Sequence, residues 1–267
     1  MDELNAVVTQ VVQVSPIMKV FRVSPDGWDL PEFTPGQFVA LFLPPSAERA
    51  PEATEEPFKS NPDKMIKRAY SIASSSKAKD FLEFYVTLVH SGNLTPRLFN
   101  LQIGDRIGVG NRFVGMFTLK EIPEEKNIVL IATGTGVAPY MSMLRTDALQ
   151  RKGKLAVIHG ASNSWDLGYS SELNLLENIA PSFTYIPTIT FPEKEHTPWN
   201  GYTKFIQDMW KDGIMEKKWG FKPTPENTSV FLCGNPRMIN DMVDAMAVDG
   251  FTEHKRKSPG QIHIEKF

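Results

Sequence analysis

"IVLIATGTGVAPYMSMLR", residues 128–145, decides how the second half of the chain is read. Ile128 to Ala132 form an apolar run without polar alternation, the pattern of a strand buried on both faces of a sheet. The run ends in Thr133-Gly134-Thr135-Gly136, and a helical pattern opens near Ala138. Glycines there let backbone N–H groups approach a ligand, and a helix N-terminus offers free donors to a pyrophosphate. A tight strand-to-helix turn without ligand uses the same residues, so this motif alone leaves both readings open.

Working outward, the alternation of apolar strand and helix continues. Strands are expected at Leu155–Ile158, Tyr185–Thr190 and Ser229–Cys233, and helices at Ala138–Leu149, Ser170–Ile179, Tyr202–Trp210 and Pro236–Ala247. Such a series implies a parallel sheet covered on both faces. A second strand-to-helix loop, "SVFLCGNPRMINDM" at 229–242, passes through Cys233-Gly234-Asn235-Pro236. Pro236 suits the first helical position and Asn235 the N-cap. Two such turns in one sheet can line one crevice. A lone Cys233 is either core packing or a residue at a ligand's edge.

Upstream of about residue 120 the chain reads differently. Short β segments separated by Pro and Gly turns are expected at Val7–Val14, Met18–Val23, Gln37–Leu43, Arg68–Ser74, Phe81–Val89 and Arg106–Val109, with one helical stretch at Leu94–Leu101. That pattern suits a small antiparallel barrel. The change near Lys120–Lys126 divides the chain into residues 1–122 and 123–267. Between Pro44 and Asp63, "PPSAERAPEATEEPFKSNPD" reads as a surface loop or flexible flap, with a lid as one use for it.

Two stretches of the barrel half carry chemistry. "KRAYSIASSS" at 67–76 sets Arg68, Tyr70 and Ser71 on one strand, a bed for a flat, anionic, hydrogen-bonding ligand or simply a polar outer face. "HSGNLTPRLFNLQIGD" at 90–105 turns at Gly92–Thr95 into a helix near Pro96, with Thr95 as a cap and Arg97 in the first turn. A dinucleotide along the barrel and a second nucleotide on the parallel sheet account for all these features together.

Bulk properties narrow the classes. The 267 residues suffice for one large or two medium domains, and the formal net charge of −2 gives no bulk attraction to nucleic acid or acidic membranes. The single cysteine excludes an intramolecular disulfide and a Cys-ligated iron–sulfur cluster held by this chain alone. Five scattered histidines, among them His159, His254 and His263, show no metal-ligand spacing. "MDELNAVVTQ" has no basic or apolar leader character, and no apolar run is long enough for a bilayer, so a cytoplasmic protein is expected.

From about Val8 onward the chain resembles the ferredoxin–NADP reductase superfamily, specifically its small bacterial ferredoxin/flavodoxin reductases. "RAYS" at 68–71 is similar to the family's Arg-x-Tyr-Ser FAD motif, and "GNLTPRL" at 92–98 to its flavin pyrophosphate turn. "ATGTGVAPYMSMLR" at 132–145 and "CGNPRMI" at 233–239 resemble its nicotinamide-nucleotide motifs, and "PGQIHIEKF" its terminal strand ending in an aromatic. The resemblance implies an antiparallel Greek-key β-barrel FAD-binding domain, then an α/β parallel-sheet NAD(P)-binding domain whose C-terminal segment returns to the flavin. It implies an enzyme moving electrons between NAD(P)H and ferredoxin or flavodoxin.

The resemblance also implies roles. Arg68 pairs with the FAD pyrophosphate, Tyr70 lies on a face of the isoalloxazine, and Ser71 bonds near flavin N5. Ala69, Gly92, Leu94, Thr95, Arg97 and Thr118 belong to the FAD site. Gly134, Thr135, Gly136, Gly234 and Asn235 cradle the nicotinamide nucleotide. Cys233 borders the ring-exchange position, Glu265 serves a proton path, and Phe267 packs on FAD. Ser71, Cys233 and Glu265 are the catalytic candidates, and no metal is expected.

NADP selection calls for cations near the end of the second parallel strand, where NAD selection often uses an acid. Family members carry arginines there; "HGASNSWDLGY" has Ser162 and Asn163 instead, and "TITFPEKEHTPWNGYTKF" offers only Lys194 and Lys204. Weak discrimination or an NADH lean is the expectation. Lys255, Arg256 and Lys257 form either a solvated basic turn or a docking patch for an acidic redox protein. Other readings are a reductase component serving an oxygenase and a nucleotide-binding regulatory subunit. A nucleic-acid-binding barrel lacks the basic, aromatic-interleaved stripe it would need.

Overall fold

The computed structural model describes residues 3–58 and 60–266. The chain forms two compact units, one of Met1–Thr118 with Ala138–Thr146 and one of Leu119–Val137 with Asp147–Phe267.

The first unit is built on six antiparallel strands: β1 (Ala6–Ser15), β2 (Met18–Pro25), β3 (Phe38–Leu43), β4 (Ile66–Ser71), β5 (Leu82–Thr87) and β6 (Arg106–Val109). A short helix, α1 (Thr95–Asn100), precedes β6. The order β4-β3-β6-β1-β2-β5 puts β6 between β3 and β1, a Greek-key arrangement instead of an up-and-down meander. Past β4 the backbone switches partners. Ile72 N–H still bonds Gln37 O, but Ala73 N–H bonds Glu83 O on β5 at 2.8 Å, curling the sheet toward closure. β4 therefore stops at Ser71 where the pattern suggested Ser74. Phe21, Leu41, Phe84 and Ile107 lie in the barrel core. Helix α2 (Ala138–Thr146) belongs to this unit, and Arg145 reaches the buried Glu83 at 2.6 Å, while Arg22 bonds the same carboxylate at 2.7 Å.

The second unit is a five-stranded parallel sheet of β7 (Asn127–Thr133), β8 (Leu155–Ala161), β9 (Phe183–Ile189), β10 (Thr228–Gly234) and β11 (Ile262–Lys266), in the order β11-β10-β7-β8-β9. Its helices are α3 (Ser170–Ile179), α4 (Ile206–Lys211), α5 (Ile214–Trp219) and α6 (Pro236–Ala247). On α6 the buried residues Met238, Ile239, Met242, Ala245 and Met246 recur at helical spacing and cover the core strands. Asn235 caps that helix, its side chain accepting from Arg237 N–H at 2.8 Å with Pro236 following. The expected helix 202–210 begins only at Ile206, and α5, between the left-handed glycines Gly213 and Gly220, was not foreseen. No helix among the described residues is long and apolar enough to cross a membrane. Nor do three or more His, Cys, Asp or Glu among them gather to hold a metal ion.

Candidate functional site

In the first unit, β4 is an edge strand paired only with β3, which leaves its outer side available. Lys67, Arg68 and Ala69 are exposed, and Tyr70 and Ser71 are half-buried. Arg68 donates to the Lys67 carbonyl at 2.7 Å. Tyr70 packs against the barrel core; burial pushes its hydroxyl pKa well above the usual tyrosine range, against a small opposing pull from Arg68, so it stays a neutral plate and donor. A cation beside a neutral aromatic and a hydroxyl is a donor set that suits a flat ring carrying phosphates.

The turn before α1 is held by Thr95, whose hydroxyl accepts from Val89 N–H at 3.0 Å and lies 3.2 Å from Val89 O. Thr95 lies inside the helix, so it ties the turn shut and does not cap it as the pattern suggested. Leu94 is buried beneath the turn, and a side chain at Gly92 would press on Thr95 Oγ1 at 2.9 Å. Thr118, half-buried, bonds Met116 O through its N–H.

Arg97 is buried, and its guanidinium is engaged inside the protein, donating to Glu56, to Asn93 O at 2.5 Å and to Pro45 O at 2.7 Å. Burial opposes ionisation of Glu56, but Arg97 and then Arg49 outweigh it and keep the carboxyl below the usual range. The segment that read as a flap is thus fastened along the turn. Ala50 N–H bonds Pro96 O, Thr54 N–H bonds His90 O, Arg49 bonds Gly92 O, and Asn93 donates to Phe58 O and Ser60 Oγ. Glu56 carried no sequence signal, since its partner lies 41 residues away in a different motif.

In the second unit, sequence neighbours run β7-β8-β9 on one side and β10-β11 on the other, so strand order reverses between β7 and β10. Ligands of open α/β sheets bind beyond the strand ends at such a point. The two glycine loops meet there. Asn235 N–H bonds Thr133 Oγ1 at 2.9 Å, and an added Cβ on Gly136 would lie 2.4 Å from Cys233 O. Gly134 and Thr135 are half-buried in the same 3-10 turn. Cys233 is fully buried and pairs in register with Glu265 of β11, with Sγ 3.9 Å from Oε2. Burial, reinforced by Glu265, raises the thiol pKa well above its ordinary value, so Cys233 is a neutral packing group and not a thiolate nucleophile. Phe267 lies outside the described residues.

His159, fully buried on β8, was not expected to contribute to this edge. Its Nε2 donates to Gly134 O at 3.0 Å and buttresses the glycine loop from below. Burial lowers its pKa to about 4, the Gly134 bond opposing. The folded form stays neutral while an unfolded imidazole protonates near 6.5, so unfolding takes up a proton between those values. Stability therefore falls as pH drops from about 6.5 to about 4, by about 3 kcal/mol from this group. Urea unfolding at stepped pH checks this: His159→Gln should flatten the wild-type slope over that window, and an unchanged slope refutes it.

Beyond β8, the chain runs through exposed Ser162 and buried Asn163. Glu195 folds onto this end, accepting from Ser164 N–H at 2.8 Å, Ser164 Oγ at 2.5 Å and Asn163 Nδ2 at 3.3 Å. Burial opposes its ionisation, but those bonds prevail and hold the carboxyl below the usual range. Lys194 lies 4.2 Å from the Phe191 ring centroid, and Lys204 pairs with Asp212 at 2.5 Å.

Known proteins share this arrangement. The family model described as an oxidoreductase FAD-binding domain matches residues 57–111, and that of an oxidoreductase NAD-binding domain matches 130–244. A flavodoxin/ferredoxin–NADP reductase of Buchnera aphidicola subsp. Baizongia pistaciae is 34% identical over 231 residues, covering 86% of this chain and 91% of the relative. One from Escherichia coli K12 is 33% identical over 210 residues, covering 78% and 77%. A crystal structure of a ferredoxin NADP+ reductase from Neisseria gonorrhoeae with bound FAD and NADP superposes with a TM-score of 0.80 at 27% identity, covering 98% of this chain and 97% of that one.

Proposed function

Because the chain belongs to the flavodoxin/ferredoxin–NADP reductase family, we propose that it is an FAD-dependent oxidoreductase passing electrons between a nicotinamide dinucleotide and ferredoxin or flavodoxin. The observation that carries this reading is the pairing in one chain of an exposed Arg-x-Tyr-Ser edge strand with a parallel sheet whose two glycine loops meet at its switch point. Bound FAD supplies the exchange between a nicotinamide's electron pair and single electrons, which no side chain here can perform.

The residues fit that cofactor. Arg68 offers a planar donor fork to a pyrophosphate, Tyr70 a neutral ring face, and Ser71 a hydroxyl at the strand end. Ala69 leaves the strand's outer side unobstructed. Gly92, Leu94, Thr95 and Thr118 shape the barrel-side cradle, and Arg97 acts through Glu56 by fastening the 44–63 loop to it. Gly134, Thr135, Gly136, Gly234 and Asn235 form the nucleotide cradle, with neutral Cys233 as its floor. Glu265, half-buried next to that thiol, is the group placed to relay a proton to solvent. Exposed Lys255, Arg256 and Lys257, on a hairpin closed by a Lys255–Ser258 bridge, give an acidic redox protein a complementary surface.

One assay series tests both levels. The isolated protein should be yellow and reduce ferricyanide with a pyridine nucleotide; a colourless chain that takes up no FAD at micromolar concentration overturns the reading. Neutralising Lys255, Arg256 and Lys257 should raise KM for ferredoxin or flavodoxin severalfold at low salt and leave ferricyanide reduction alone. Equal KM values remove the docking assignment.

A further inference from the structure

The carboxyl end of β8 bears on which dinucleotide the sheet takes. In open α/β sheets the residues following the second strand reach the adenosine ribose, where an acid bonds a free 2′-hydroxyl and an arginine accommodates a 2′-phosphate. In this chain the segments leaving β8 and β9 lie side by side, for Thr190 N–H bonds Ala161 O at 3.0 Å and Phe191 N–H bonds Ser162 O at 3.0 Å. Glu195 is pinned on that shared edge by Ser164 and Asn163. A carboxylate has about four acceptor positions, so with three hydrogen bonds received one remains for a ribose hydroxyl.

The lysines of this edge are engaged elsewhere, Lys194 over Phe191 and Lys204 with Asp212. His196, stacked on Trp165 with centroids 5.2 Å apart, is a neighbour whose charge favours the Glu195 carboxylate, and it offers no planar donor fork to a phosphate. No arginine occurs between Arg151 and Arg237. A 2′-phosphate brought to this edge meets a fixed carboxylate and no guanidinium, whereas a 2′-hydroxyl meets an acceptor.

We propose that Glu195 is a specificity-determining residue that selects a dinucleotide with a free 2′-hydroxyl, NADH, over the 2′-phosphorylated NADPH. This rests on the proposed reading of the chain as a pyridine-nucleotide-dependent flavoenzyme. Such a preference would set the protein apart from the NADP reductases it resembles. Glu195 acts on binding and touches no reacting atom, so its effect belongs in KM and Kd.

The test compares the purified holoenzyme with NADH and NADPH at equal concentrations below KM, using ferricyanide as acceptor, and measures NAD+ and NADP+ binding by calorimetry. The wild type should favour NADH by more than about tenfold in kcat/KM, the margin one like-charge contact readily supplies. Glu195→Gln should narrow the ratio through a lower KM for NADPH with kcat little changed, and Glu195→Gln combined with Ser162→Arg should tilt it toward NADPH. A yellow enzyme that reduces ferricyanide yet prefers NADPH, or binds NADP+ more tightly than NAD+, overturns the assignment while sparing the flavoenzyme reading. A ratio unmoved by Glu195→Gln also overturns it. A chain that oxidises neither nucleotide removes the functional reading and the selectivity with it.

Discussion

Arg68→Ala is expected to give a folded protein that purifies without its yellow colour. Arg68 is exposed on an edge strand, and β4 is held to β3 through backbone pairing from Ile66 to Ser71 that the substitution leaves in place. The cost to the polypeptide should stay within about 0.5 kcal/mol, as for an ordinary surface change. The loss to FAD is larger. Two charge-assisted hydrogen bonds to a pyrophosphate, at about 1.5–3 kcal/mol each, correspond to a weakening of roughly 100-fold or more. Flavin titration of the apoprotein measures it, and the apoprotein's melting temperature separates lost binding from lost structure. Arg68→Lys should recover only part of the affinity, because an ammonium keeps the charge and loses the fork. Flavin affinity within a few-fold of wild type in Arg68→Ala would show that the pyrophosphate is held elsewhere.

The sequence features that proved legible are those whose cause is local. β7 and β10 read as strands because every residue of an inner parallel strand is covered on both faces, so an unbroken apolar run admits little else. Asn235-Pro236 read as a cap because cap and capped N–H are two residues apart. What escaped depends on partners far along the chain. Arg97, which the family resemblance puts in the FAD site, has Glu56 from a low-complexity loop as its anion. β4 ends early because Ala73 turns to β5, a choice made by barrel closure and not by the strand's own pattern. Helix α5 has six residues, too few to show a period, and its place is set by burying Ile214, Met215 and Trp219 in the core. Glu195 meets Ser164 from 31 positions along the chain, past intervening strand and helix, so nothing near either residue announces the pair.

The second large effect concerns the two glycine loops at the switch point of the parallel sheet. Gly136→Ala would place Cβ 2.4 Å from Cys233 O and 2.7 Å from Cys233 C, and both are backbone atoms. Neither side yields readily, because Cys233 is locked in register with Ala132 and with Glu265 on flanking strands. Gly234→Ala adds a second penalty. Its φ of +128° is a region L-residues avoid, and its Cβ would sit 2.3 Å from Thr133 Oγ1, the group that bonds Asn235 N–H. Overpacking against backbone atoms implies a loss of about 3 kcal/mol for Gly136→Ala, and overpacking with backbone strain about 3–5 kcal/mol for Gly234→Ala. Gly220→Ala provides the contrast, since it has φ of +79° but nothing within 4 Å of the new Cβ. It should pay conformational strain alone, about 1–2 kcal/mol. Urea unfolding of the three variants ranks these costs. Should Gly136→Ala be no less stable than Gly220→Ala, the close approach of the loops would not be what fixes them. If it is less stable than Gly220→Ala and also binds pyridine nucleotide weakly, the contact that forces glycine at residue 136 is the same one that shapes the cradle.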